Sequence, residues 1–453
     1  SEIFPHLGTC ADDLCVIRSM HTNIPNHEPS LLMMTSGETQ PTRPSMGSWL
    51  LYGLGTENQN LPGFVVLCPG KPVVGPALWG NRFLPGIYQG AQINNSSINP
   101  QTVIRDINNG QVSRSAQREQ LDLLKRMNEL HLSRRGGQDN PLEARIQSLE
   151  MAFRMQTSVP ELADLSKETP ATFDLYGPDS RDRGTFANSC LTARRLVERG
   201  VRFVQLYTGN QTWDHHGSIR SGLPAACKYI DKGSAGLVTD LKSRGLLDST
   251  VVHWGGEMGR LPVIQNDVGR DKVGRDHNTY GFSMWVAGGG FKGGFTYGAT
   301  DEFGHHAVTD IVNHYDYHAT LLHLFGLDYK QVVFKRNGQE MSLVDGQNAR
   351  LASEIEPFLW APAPVVVPVV EQVAVGGAVG RVVPALAHEL VQILVLCVVA
   401  HVEGGAHAGD GAADDAAFVV HAAERGALAR GRRWVERVDF DNPAILIGFV
   451  AEI

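Results

Sequence analysis

Residues 245–260, Gly-Leu-Leu-Asp-Ser-Thr-Val-Val-His-Trp-Gly-Gly-Glu-Met-Gly-Arg, decide the fold class. Just upstream, Leu237, Leu241 and Leu246 recur at roughly helical spacing, and Gly245 is a natural helix stop. Asp248-Ser249 makes a turn. Thr250 to Trp254 is a short, apolar, β-branched run, which predicts a buried parallel strand. Gly255-Gly256 ends it and lets the backbone approach another group closely. Glu257 follows at once. In an open α/β sheet, ligands bind beyond the carboxyl ends of the strands, so Glu257 stands where a catalytic or metal-binding acid belongs.

The same alternation continues on both sides. Residues 14–20 predict a strand, followed by a polar loop with His21 and His27 and a helix opening at Pro29 and stopped by Gly37. Residues 40–100 are rich in Gly and Pro, with a strand at Phe64 to Cys68; long irregular segments in compact domains tend to be functional. Residues 115–165 predict helix. Another helix runs from Ala187 to Arg199, capped near Asn188 and stopped by Gly200. Val201 to Tyr207 predicts a strand, Pro224 to Arg244 a helix, Tyr280 to Ala287 a strand and Tyr315 to Phe325 a helix. Strands alternating with helices predict an α/β fold with a largely parallel sheet.

The chain has 453 residues, 42% hydrophobic and 19% charged, which describes a globular protein with ample core. A net charge of −8 argues against nucleic acid as the main partner. No apolar run reaches the ~18 residues that span a bilayer; the longest, Leu390 to Val402, is too short. Six scattered cysteines form no Cys-x-x-Cys pair, so a zinc ribbon is not expected. From Glu354 to the end there is no Ser, Thr, Lys, Tyr or Met, and Ala, Val and Gly dominate. Residues 356–453 therefore read as a tail of different origin, with a Val-rich β module as the alternative, and no function is assigned to them.

Three clusters fall at loop ends of predicted strands. They are Asp214-His215-His216 after the strand at 201–207, Glu257 after the strand at 250–254, and Gly274-Arg275-Asp276-His277-Asn278 before the strand at 280–287. Carboxylates and imidazoles converging at one sheet edge are the donor set of a borderline metal ion. Arg260 can clamp an anionic substrate oxygen, or pair with Glu257 or Asp267. His314 and His318 lie one helical turn apart; that spacing can bind zinc, but helix packing is the preferred reading. Gly288-Gly289-Gly290 lacks the Gly-Lys-Ser/Thr ending of a phosphate loop.

Several long stretches are similar to one family. They include Ser-Glu-Ile-Phe-Pro-His at 1–6, Asn-His-Glu-Pro-Ser at 26–30, the run 53–64, Trp-Asp-His-His-Gly at 213–217, Gly-Arg-Asp-His-Asn at 274–278 and Tyr-Gly-Ala-Thr-Asp-Glu at 297–302. On these the chain, from about residue 1 to 355, resembles the DUF1501 proteins, uncharacterised and abundant in planctomycetes. That family is in turn similar to sulfatases and alkaline phosphatases. The resemblance implies a three-layer sandwich with a mostly parallel central sheet. It implies a divalent metal (zinc, calcium or manganese) held by Asp214, His216, Glu257 and His277. Met258 falls where an Asn or His ligand belongs. His27 falls on the nucleophile position, to attack or to activate water, and Arg260 steadies the anion.

The implied substrate is a small anionic ester or a sulfated or phosphorylated glycan, met after export. The implied activity is metal-dependent hydrolysis of phosphate or sulfate esters. The alternative is a non-catalytic exported protein that uses the scaffold to bind a polysaccharide or a partner. Relatives begin with an export signal and a first strand that carries one more ligand carboxylate. Nothing of the kind precedes Ser1, so the domain is expected to be N-terminally truncated and impaired.

Overall fold

The computed structural model describes residues 2–56, 58–68, 72–93, 111–134, 140–209, 211–344, 349 and 445–451; for 140–145 and 445–451 it describes the backbone alone. All lie in one compact unit made of residues 1–369 and 444–453. In chain order the elements are β1 (Leu14–His21), α1 (His27–Ser36), α2 (Met46–Leu54), β2 (Phe64–Leu67), β3 (Ala91–Ile93), α3 (Arg114–Arg134) and α4 (Asn140–Ala163). There follow α5 (Pro170–Tyr176), α6 (Phe186–Val197), β4 (Phe203–Tyr207), α7 (Ile219–Ser243), β5 (Thr250–Gly256), β6 (Gly259–Arg260), β7 (His277–Asn278) and β8 (Phe282–Ala287). The last are β9 (Phe295–Tyr297), β10 (Ala299–Thr300), β11 (Ala307–Thr309), β12 (Val312–Asn313), α8 (His314–Leu324), β13 (Phe334–Arg336), β14 (Gln339–Met341) and β15 (Ile445–Ala451).

A nine-stranded sheet in the order β12-β1-β8-β5-β15-β4-β2-β3, with β9 beside β1, organises the unit. It is mixed: β8 runs antiparallel to both β1 and β5, while β15 is parallel to both β4 and β5. The strand predicted at 250–254 is present, with one parallel and one antiparallel neighbour. An apolar run shows that a strand is buried on both faces; it does not show the direction of its neighbours. Of the tail from 356 onward, only β15 lies within the described residues, and it occupies an interior place in the sheet.

Side chains alternate along each strand and feed two cores. Phe64, Val66, Phe203, Val251, Met284 and Val286 pack with residues of α1, α2 and α8. Val65, Leu67, Val204, Leu206, Val252 and Ala287 pack with residues of α4, α5, α6 and α7. Helices thus cover both faces of the sheet, as an α/β fold requires. No helix among the described residues is long and apolar enough to cross a membrane.

The local signals explain most boundaries. Gly37 adopts φ +68° and its N–H bonds the Met33 carbonyl, the left-handed cap that ends α1. Thr185, not Asn188, caps α6: its side chain accepts the Asn188 N–H. α8 opens with a reciprocal capping box between Asn313 and Asp316. α2 falls within a stretch read as irregular. Six of its residues, Met46 to Leu51, are buried, so it lacks the polar face that marks a surface helix.

Candidate metal centre

Four loop ends meet beyond β4 and β5. His27 is the first residue of α1, and Asp214 and His216 lie on the loop after β4. Glu257 follows β5, Arg260 ends β6, and His277 opens β7. β6 and β7 form a short antiparallel ladder that sets Arg260 opposite His277. Backbone bonds stitch this ladder to the 214–218 loop: Arg275 N–H to the His215 carbonyl at 3.0 Å and Ser218 N–H to the Lys272 carbonyl at 3.1 Å. Gly274 makes the approach possible, because a Cβ there would collide with the backbone of His216 and Gly217.

His27, Asp214, His216 and His277 bring one ligand atom each to within 4.8 Å of one another. Among the described residues this is the one such group. The His216 Nε2 lies 3.0 Å from an Asp214 carboxylate oxygen, and the His277 Nε2 lies 3.5 Å from the same oxygen. The His27 Nε2 is 3.4 Å from the other oxygen. The two rings of His216 and His277 face each other through Nε2 atoms 3.2 Å apart. A contact between two such nitrogens suits lone pairs that share a cation.

The opposite edge of each ring supports this. His27 Nδ1 meets Glu257 Oε1 at 2.8 Å, His216 Nδ1 meets Gln265 Oε1 at 2.7 Å, and His277 Nδ1 meets the Pro25 carbonyl at 2.6 Å. Each of these oxygens accepts from an N–H, which fixes the proton on Nδ1 and leaves the Nε2 lone pair pointing inward. Metal-binding histidines are oriented in this way by outer acceptors. The His27 Nε2 is buried and makes no hydrogen bond. The residues present therefore fit a divalent ion.

Electrostatics follow the same geometry. The bond from Glu257, opposed by burial and aided by the charges of Glu257 and Asp214, raises the His27 pKa above its ordinary value. Burial alone would raise the Asp214 carboxyl; the hydrogen bond and charge of Arg260, with His27 and His216, outweigh it and hold the carboxyl below its ordinary value. Burial, with the charges of Arg260 and His27, lowers His277 against the raising effect of the Pro25 carbonyl. The Arg260 Nη2 bonds Asp214 Oδ1, and its Nη1 donates to the Arg275 carbonyl at 2.9 Å.

The residues expected at the site thus converge, but with a division of contacts that the sequence did not foretell. Glu257, fully buried, touches His27 and stands outside the group of four ligand atoms. Arg260 pairs with Asp214. Met258 is fully buried. His314 and His318 lie in the core beneath, with His318 Nε2 bonded to the Met34 carbonyl at 2.8 Å. Gln265 and Pro25 contribute through loop geometry, and no sequence signal marked them.

Residues 1–355 match the family described as protein of unknown function (DUF1501). The chain belongs to DUF1501. The DUF1501 region contains every residue of the centre. No curated protein matches the chain.

Proposed function

We propose that this DUF1501 chain is a metal-dependent hydrolase of phosphate or sulfate esters. The observation that carries the reading is the set of three imidazoles whose Nδ1 edges are each held by an oxygen while their Nε2 edges converge on Asp214. Three imidazoles and one carboxylate favour zinc over calcium, which prefers a shell of oxygens. A divalent ion there would supply positive charge for a transferring phosphoryl or sulfuryl oxygen and would acidify a water.

The chain's own residues divide the remaining work. His27 would lend its Nε2 lone pair to the ion, which would leave water, rather than His27, as the attacking group. Glu257 holds the His27 ring and its tautomer. Gln265 and the Pro25 carbonyl do the same for His216 and His277. Arg260 presents a planar, always-charged donor fork suited to a tetrahedral oxyanion. His216 is 40% exposed, so a solvent-borne ester can reach the centre. The sheet covered by helices on both faces, with the ligand loops beyond β4 and β5, supports an alkaline phosphatase/sulfatase-like sandwich. The same resemblance makes sulfated or phosphorylated glycans, met outside the cell, the leading substrates.

One observation favours the second reading, a non-catalytic exported scaffold that binds polysaccharide or a partner. Met258, at a position where the resembling enzymes carry a ligand, is buried and offers only a thioether. A single preparation separates the two. The full chain is stripped with chelator, reloaded with zinc, manganese or calcium, and assayed on aryl phosphates and aryl sulfates. Metal-dependent turnover that disappears in His277→Ala supports the hydrolase. Absence of turnover with every metal, alongside retained glycan binding, moves the reading to the scaffold.

A further inference from the structure

The side chain of Arg260 is 10% exposed, and its guanidinium sits on the very atoms that the ion needs. Its Nη2 bonds Asp214 Oδ1, and its Nη1 lies 3.4 Å from the His216 Nε2. Two of the four converging ligand atoms are therefore engaged by a protein cation. The same lone pairs cannot serve an N–H and a metal at once. A divalent ion placed among them would also face a fixed positive charge at contact range.

We infer that Arg260 is a displaceable internal cation that couples metal binding to oxyanion binding. The inference rests on the metal-centre reading above. Nη1 also donates to the Arg275 carbonyl at 2.9 Å, and that bond does not involve the ligands. It gives the guanidinium a pivot, so the group can turn away from Asp214 and His216 without leaving the centre. The Arg260 Nε is buried and makes no hydrogen bond even now. Once turned, the guanidinium has lost its carboxylate and stands beside a divalent ion. A tetrahedral oxyanion, sulfate or phosphate, satisfies both: its oxygens accept from the freed N–H groups and neutralise the charge that the two cations share. Metal entry thus creates the anion site, and the anion favours metal entry. By linkage each tightens the other by the same factor.

The test is calorimetric titration of zinc chloride into the chelator-stripped full chain, with and without saturating sodium sulfate, for the parent, Arg260→Gln and Arg260→Lys. In the parent, sulfate is expected to tighten zinc by about tenfold, within the ~5–150-fold range of such couplings. Arg260→Gln is expected to bind zinc more tightly than the parent when sulfate is absent, and to lose the sulfate effect. Tighter binding cannot arise from misfolding, so that variant reads the inference directly. Arg260→Lys keeps the charge without the fork and is expected to retain part of the effect. Zinc affinity that is unchanged or weaker in Arg260→Gln, or indifferent to sulfate in the parent, overturns the coupling while leaving the metal centre intact. Zinc binding by none of the three proteins overturns the centre and the coupling together.

Discussion

Replacing Glu257 by Gln separates an orienting role from a ligand role. The carboxylate is fully buried and lies 2.8 Å from the His27 Nδ1. Gln has nearly the same shape and can still turn an oxygen toward that N–H, while it gives up the charge and exchanges the second acceptor oxygen for an NH2. A hydrogen bond to a charged group contributes about 1.5–3 kcal/mol net, against about 0.5–1.5 kcal/mol for a neutral pair. The difference of roughly 1–2 kcal/mol corresponds to about a 10-fold loss of zinc affinity, at the low end of the ~10–100-fold seen for outer-shell partners of metal-bound histidine. The metal-free protein should not suffer in parallel, because removing a buried negative charge also removes its desolvation cost. The assay is zinc titration by calorimetry, paired with thermal melts of the stripped and loaded forms. Weaker zinc binding at unchanged stoichiometry, with the stripped melt unmoved or raised, is the expected pattern. Complete loss of stoichiometric binding would mean that Glu257 is a direct ligand. Zinc affinity equal to the parent would refute the orienting role.

Other consequences follow from the core. His253, His314 and His318 are buried and held neutral: burial, with the charge of neighbouring histidines for the first two, lowers them to about 3, about 3 and about 4. Their folded values lie below the ordinary 6.5, so the stability they allow is complete above that pH and is lost as pH falls below it. At pH 5 the loss is about 2 kcal/mol per group, or roughly 6 kcal/mol for three; acid melts of the triple variant to Gln or Asn that do not flatten between pH 6.5 and 4 would contradict this. Arg194 bridges Glu168 at 2.7 Å, Glu198 at 2.6 Å and Asp240 at 2.9 Å from a nearly buried position. Arg194→Met takes one arginine from each carboxylate but leaves Arg195 on Glu168 and Arg244 on Glu198 and Asp240, so it should cost about 1.5–3 kcal/mol in urea unfolding. Deleting residues 444–453 removes the parallel neighbour that β4 and β5 share; the expected result is loss of a single cooperative melt, and a melt identical to the parent's would show that β15 is dispensable.

The elements were legible where one side chain or one dihedral decides. Gly37 ends α1 because an αL cap favours glycine, and Thr250 to Trp254 form a strand because β-branched residues pack on a pleated, buried surface. α2 was not legible, because it is buried and carries no helical stripe. The direction of β8 was not legible either, since it depends on a long-range crossover rather than on the run itself. β15 left a trace in Ile445 to Ala451, an apolar run after Pro443, but its place between β4 and β5 is a tertiary fact. At the centre, Asp214, His216, Glu257 and His277 stood out as polar residues at strand ends, and His27 entered through the family resemblance. Which oxygen meets which nitrogen depends on loop conformations set by Gly274 and the β6–β7 ladder. That is why Gln265 and Pro25 went unseen and the separate contacts of Glu257 and His27 emerged only in three dimensions.

In the proposed centre, His27, Asp214, His216 and His277 hold one divalent ion. The most direct test is an anomalous difference map from crystals of the zinc-loaded chain, collected across the zinc edge. One peak about 2.0–2.2 Å from the three Nε2 atoms and an Asp214 oxygen is the predicted result. No peak, or a peak bound elsewhere with the three imidazoles unliganded, contradicts it.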